Sequence, residues 1–283
     1  TTPETTNTNT VQRFLQRGVQ IGSDVQVNTV NESYVLWQWL VGDSATTGST
    51  NDSGSIDSTV IAADAGHFSV VSWTGNTTAG ATVGHGMGGT PEFIIAIARA
   101  ENGENKPIFH VDAVTSDTRH IKINEANMST AGTTIWDVSA MSSTVFGLGA
   151  AAQSNSTNGM IAYCFRSVPG VCKVGSYIGN GNSTDGPYIS VGFLPRWIFI
   201  KSYSENQNWM LWDTARSPYN QLNNNLWADI DSGESTSSTY GRDILSDGFK
   251  LRGSSHAIVN ANEDNYLYIA MAEIGGNGTL PPI

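Results

Sequence analysis

Apolar residues recur along this chain at alternate positions, in short runs bounded by Gly, Asn, Pro or Ser-Thr. That period belongs to β-strands. The runs predict strands at 67–74, 81–85, 92–99, 107–112, 119–124, 133–138, 143–148 and 159–166. A second series follows at 173–178, 187–191, 196–203, 208–213, 225–229, 242–245, 248–252 and 265–273. The expected fold class is all-β: tandem β-sandwich or jelly-roll-like domains, each of about eight short antiparallel strands.

The two series echo each other. Val70-Val-Ser-Trp-Thr-Gly-Asn76 is matched by Val174-Gly-Ser-Tyr-Ile-Gly-Asn180. Thr90-Pro-Glu-Phe-Ile-Ile95 is matched by Leu194-Pro-Arg-Trp-Ile-Phe199. The closing run occurs three times: Tyr34-Val-Leu-Trp37, Met160-Ile-Ala-Tyr163 and Tyr266-Leu-Tyr-Ile269. A period of about 105 residues suits a small domain used in series. The division expected is a first repeat at 66–168, a second at 169–275 and a tail at 276–283.

The region ahead of the first repeat reads as the end of another. Val19-Gln-Ile21, Val25-Gln-Val-Asn28 and Tyr34 to Leu40 follow the order of Phe249-Lys-Leu251, Ile258-Val-Asn260 and Tyr266 to Ala272. Residues 1–41 are therefore expected to be the C-terminal part of an upstream β unit, packed as strands in an incomplete or shared sandwich. Residues 42–65 read as a polar linker, because 42–58 offer no core residue beyond Ile56.

Composition agrees with short strands and turns. Ser, Thr, Asn and Gly abound, and only 14% of residues are charged. The net charge of −11 repels nucleic acid and anionic membrane, and Lys and Arg form no stripe. No nucleic-acid or membrane partner is expected, and no apolar run is long enough for a spanning helix. For Cys164 and Cys172 both a disulfide at the junction and a buried free thiol stay open, with the thiol at Cys164 preferred.

Candidate chemistry is thin. Gly84-His-Gly-Met-Gly-Gly89 fits the dinucleotide pattern, but Thr90-Pro91 and another strand follow where a helix is required. It reads as a turn needing positive φ, so no cofactor is expected. The histidines lack metal-ligand spacing, so no metal is expected, and no nucleophile elbow occurs. No catalytic residue is assigned. Asp213 and Glu234 are the carboxylates considered for glycoside cleavage, a reaction whose paired acids meet only in space.

The densest unusual run is Trp209-Met-Leu-Trp-Asp-Thr-Ala-Arg-Ser-Pro-Tyr-Asn220. Trp209 and Leu211 alternate with Met210 and Trp212, so both faces of one strand carry large apolar groups. One face must be core; the other must meet a neighbouring domain, a subunit or a ligand. Core plus interface is preferred over sugar stacking. Trp209, Trp212, Arg216, Tyr219 and Trp227 form the candidate ligand or interface surface, and Asp213 is expected to pair with Arg216 and hold the following loop.

The runs 68–76, Thr82-Val-Gly-His-Gly86, Ala162-Tyr-Cys-Phe165, 175–181, Asp213-Thr-Ala-Arg-Ser-Pro-Tyr-Asn220 and Ile244 to Leu251 together resemble a β-rich repeat family of bacteriophage virion proteins. That family is found in tail-fibre-like chains, particularly of marine phages and cyanophages. The resemblance covers most of 17–274 and implies a particle-surface protein, non-enzymatic, acting in host attachment. Implied partners are other virion proteins, a host surface glycan and copies of the chain itself, trimeric by analogy with phage fibres. A capsid decoration protein and a glycan-cleaving tailspike are the alternatives. The first repeat has Ile108-Phe-His-Val-Asp112 where the second has its tryptophans, so any binding by that run belongs to the second alone.

Overall fold

A computed structural model of the chain describes residues 4–15, 18–39, 41, 48–101, 103–117, 119–127, 130–131, 135–252 and 256–273. The expected tail at 276–283 lies outside the described residues. The chain opens with a hairpin, β1 (Val11–Leu15) and β2 (Gly18–Ile21), and one helical turn, α1 (Val25–Asn28). The strands β3 (Ser49–Asn51), β4 (Ser58–Ala62), β5 (Phe68–Trp73), β6 (Ala81–Gly84), β7 (Phe93–Ala98), β8 (Pro107–His110), β9 (Arg119–Lys122), β10 (Thr130–Ala131), β11 (Trp136–Asp137) and β12 (Val145–Leu148) follow. A turn of helix, α2 (Ala152–Asn155), leads into β13 (Met160–Phe165). The rest comprises β14 (Cys172–Ile178), β15 (Tyr188–Ser190), β16 (Trp197–Ser202), β17 (Met210–Asp213), β18 (Asn224–Trp227), β19 (Ser235–Thr236), β20 (Arg242–Leu245), β21 (Gly248–Leu251) and β22 (Asn265–Met271).

The protein is all-β, and every ladder between its described strands is antiparallel. One strand order is met twice. In the first unit a large sheet runs β10-β9-β8-β7-β13-β5 and a small one β11-β12-β6. In the second the orders are β19-β18-β17-β16-β22-β14 and β20-β21-β15. The closing strand, β13 or β22, lies between the first and third strands of its unit. It thereby joins chain ends about a hundred residues apart, a non-local pairing that only a long loop closure permits.

Each small sheet covers one face of its large sheet. In the first unit Trp73 meets Phe146 and Phe109 meets Trp136 edge to face, at 5.4 and 6.0 Å. In the second, Ile198, Ile200, Met210 and Trp212 share a buried cluster with Ile189, Phe249 and Leu251. The other face of the second large sheet is buried too. Val174, Phe199, Trp209, Leu211, Leu267 and Ile269 belong to the same cluster as Phe93, Ile108 and Ile121 of the first unit. The two units therefore share one continuous core, which a flexible linker between separate domains would not give.

Three expectations need correction. The stretch 42–65 contains β3 and β4, which extend the first large sheet at its edge. Its small polar residues concealed this: an edge strand needs one buried face, and here Val60 is buried while Ser58 Oγ donates to the Gly84 carbonyl at 2.8 Å. Val25–Asn28 is not a strand, because the Asp24 carboxylate caps the Gln26 N–H and starts a helical turn. The β1–β2 hairpin forms a two-stranded sheet of its own rather than part of a sandwich, and β1 is exposed along its whole length. The glycine-rich stretch 84–89 joins β6 to β7, with Gly86 and Gly88 at φ of 68° and 67°.

Candidate functional site

Strand β17 and its loops carry the aromatic run, and alternation sends its side chains in opposite directions. Trp209, just ahead of β17, stacks on Phe199 at 4.6 Å, and its indole N–H donates to the Lys122 carbonyl of the first unit at 2.7 Å. Trp212 points into the second sandwich and donates to Asn225 Oδ1 at 2.7 Å. The Arg242 guanidinium lies 3.9 Å above the Trp212 ring and donates to the same Asn225 oxygen. Further bonds from Arg242 to the Tyr240 and Asn224 carbonyls hold this charge in the core, where burial pulls its pKa well down.

The other three candidates lie apart. Arg216 is clamped between two carboxylates: its Nε donates to Asp213 Oδ2 at 2.7 Å and its Nη1 to Glu234 Oε2 at 2.6 Å. Asp213 also accepts from the Arg216 backbone N–H and from the Trp37 indole. So the two acids weighed for glycoside cleavage are joined through one guanidinium, which fastens the loop after β17. Tyr219 is 83% exposed, whereas Trp227 is half-buried against Tyr240. The five candidates do not converge on one concave surface. Trp209 and Trp212 are closed off from solvent, on opposite faces of the sheet.

The seam between the units holds groups that motif searching missed. Lys201 is fully buried and donates to the Ala126 carbonyl at 2.8 Å and the Gln207 carbonyl at 2.5 Å. Burial lowers its pKa to about 8, with Asp229 opposing. His110 is also fully buried; its Nδ1 accepts from the Asp112 N–H at 3.1 Å. Burial lowers its pKa to about 4, against the raising influence of Asp112 and of the Tyr268 and Gly175 carbonyls. Lys201 had a sequence signal: it breaks an apolar run where the first unit has Ile97. Both cysteines are free, buried thiols, and burial pushes the Cys164 pKa up to about 12 and that of Cys172 higher.

An open depression of about 550 Å³ lies on the outer face of the first large sheet. Its floor includes Ile61, Val70, Ile97, Ile161 and Tyr163, all half-buried, and the Arg99–Glu4 ion pair stands among its lining. The register-equivalent positions of the second unit, among them Val174, Lys201, Leu267 and Ile269, are buried in the seam. None of the five candidate residues reaches this depression.

Fold and sites together define an all-β chain whose two sandwich units share one buried core. Residues 1–274 match the family described as a domain of unknown function (DUF7483), and the chain belongs to that family. Neither a curated protein nor a solved structure matches it.

Proposed function

We propose that the protein is a non-enzymatic virion component of a bacteriophage, part of a tail fibre or similar surface appendage that contributes to host attachment. The observation that carries this reading is the seam. Trp209 and Lys201 tie the two units into one body through bonds to carbonyls of the first unit and a shared core, as a stiff spacer requires. The family likeness read from the sequence points the same way, and so does the acidic, turn-rich composition.

The depression over Ile97, Ile161 and Tyr163 supplies a place for a host surface glycan. It pairs an apolar floor with Arg99, Glu101 and Lys106, the combination that receives a sugar ring and its hydroxyls. This makes it a better glycan candidate than the buried Trp209 and Trp212. Gold-labelled antibody against the chain, applied to intact particles and viewed by electron microscopy, tests the assignment. Label along the tail supports it, label over the capsid supports the decoration role, and absence of the chain from purified particles refutes both.

A further inference from the structure

Residues 25–39 reproduce residues 257–271 at a constant offset, down to individual hydrogen bonds. The Tyr34 hydroxyl accepts from the Thr29 N–H and donates to the Val25 carbonyl, both at 2.9 Å. The Tyr266 hydroxyl accepts from the Ala261 N–H at 2.9 Å and donates to the Ala257 carbonyl at 2.8 Å. Tyr34–Trp39 therefore corresponds to Tyr266–Met271, the body of β22. There the likeness stops. β22 is bonded on one side by β14 and on the other by β16, whereas among the described residues the backbone of 33–39 makes no backbone hydrogen bond.

The burial of this segment is that of half a sandwich. Val35, Trp37 and Trp39 are half-buried, Trp37 and Trp39 against the shared core, and Trp39 packs against Phe68, Phe165 and Trp197. The matching face of β22 is the one buried in the seam. The opposite face is open, with Tyr34 51% and Leu36 55% exposed, whereas their counterparts Tyr266 and Tyr268 are buried beneath the small sheet. In the β1–β2 hairpin, which precedes this segment in chain order as β20 and β21 precede β22, Val11, Phe14, Leu15 and Ile21 are also exposed.

We propose that residues 11–39 are a docking element. They match the closing part of a β unit, and they receive a polypeptide segment that carries the opening strands of this same repeat and adds one antiparallel strand on each side of Tyr34–Trp39. The duplicated units identify the occupant, because every closing strand in them lies between a first and a third strand. A second copy of the chain has no such strands to offer: β5 and β7 are already closed by β13, and β14 and β16 by β22. Strand addition to a backbone that has no strand partner among the described residues supplies main-chain hydrogen bonds, and the exposed Tyr34, Leu36 and Phe14 supply the apolar contact. This proposal stands independently of the virion role.

Hydrogen–deuterium exchange on the full chain tests it, with synthetic peptides of sequence 171–180 and 196–203 as the strand donors and shuffled peptides as controls. The expected result is exchange at 34–39 slowed about tenfold or more by the native-sequence peptides only. Leu36→Pro, which disrupts the accepting strand, abolishes that protection and leaves exchange in β13 and β22 unchanged. Unaltered exchange at 34–39 with saturating peptide overturns the proposal. So does protection that arises without peptide as the protein is concentrated, since that would assign the segment to a second copy.

Discussion

Asn155 Oδ1 accepts the backbone N–H of Asn76 at 2.8 Å, and in the second unit Asn260 Oδ1 accepts the backbone N–H of Asn180 at 3.0 Å. Both asparagine side chains are fully buried. Each ties the turn before a closing strand to the loop after the first strand of its unit. The amide of Asn155 also donates to the Gly149 carbonyl at 2.9 Å and the Thr78 carbonyl at 3.1 Å. The glycine before each loop asparagine has a packing reason: a Cβ on Gly75 would meet the Asn155 backbone, and one on Gly179 the Ala261 carbonyl. The recurring Gly-Asn pair is thus the mark of a buried clasp.

Removing that clasp strands buried polar groups. Asn155→Ala is expected to destabilise the protein by about 2–3 kcal/mol, and Asn260→Ala by a similar amount. Asn155→Asp keeps the acceptor but loses both donors to carbonyls, so it falls at least as far. Urea unfolding followed by tryptophan fluorescence measures the three variants. Wild-type stability in either alanine variant would show that water replaces the clasp.

The two buried tryptophans separate two kinds of damage. Trp209→Ala opens the seam and Trp212→Ala opens the second sandwich, each at about 3–5 kcal/mol. Trp209→Phe keeps most of the stacking on Phe199 and loses the bond to the Lys122 carbonyl, at about 1 kcal/mol. Tyr219→Ala, at an exposed position, stays within about 0.5 kcal/mol of wild type. Thermal and denaturant unfolding rank them, and a neutral Trp209→Ala would contradict the seam.

His110 makes the seam sensitive to acid. Its folded pKa of about 4 lies below the ordinary histidine value of 6.5, so the unfolded chain binds the proton more readily. Its contribution is complete above pH 6.5 and is lost as pH falls through 6.5 toward 4, by about 3 kcal/mol. His67, His85 and His120 are shifted the same way by burial and add to the slope. His110→Asn, which retains an acceptor for the Asp112 N–H, is expected to flatten the profile between pH 4 and 6.5. Unfolding curves at half-unit pH steps decide, and an unchanged slope would exclude His110 as a main contributor.

Both thiols are expected to resist alkylation while the protein is folded. A thiolate is the reactive form, and burial holds the Cys164 thiol protonated with a pKa near 12. Iodoacetamide at pH 8 should modify neither Cys164 nor Cys172 natively, and both in urea, as counted by intact mass. Rapid native labelling of Cys172 would show that the junction opens.

Much of the fold was legible because strands declare themselves locally. Alternating Phe68 to Trp73, Phe93 to Ala98 and Met160 to Phe165 appear as β5, β7 and β13, and the matched runs appear as β14, β16 and β22. The β3–β4 edge was missed because Ser, Thr and Asn can occupy an edge strand that buries one face. Among the site residues, the expected Asp213–Arg216 pair is present at 2.7 Å, being three positions apart in one loop. Lys201 and His110 carried no motif, since their surroundings come from strands distant in sequence.

By itself the sequence determined the all-β class and the positions of most strands, because side-chain alternation is a property of neighbouring residues. It also marked both faces of β17 as apolar. Only the tertiary structure decided what covers those faces: the first unit over Trp209 and the small sheet over Trp212. It alone showed that the closing-strand segment at Tyr34–Trp39 has no flanking strands among the described residues. Burial and strand pairing are relations between distant parts of a chain, and residue order leaves them open until the sheets have packed.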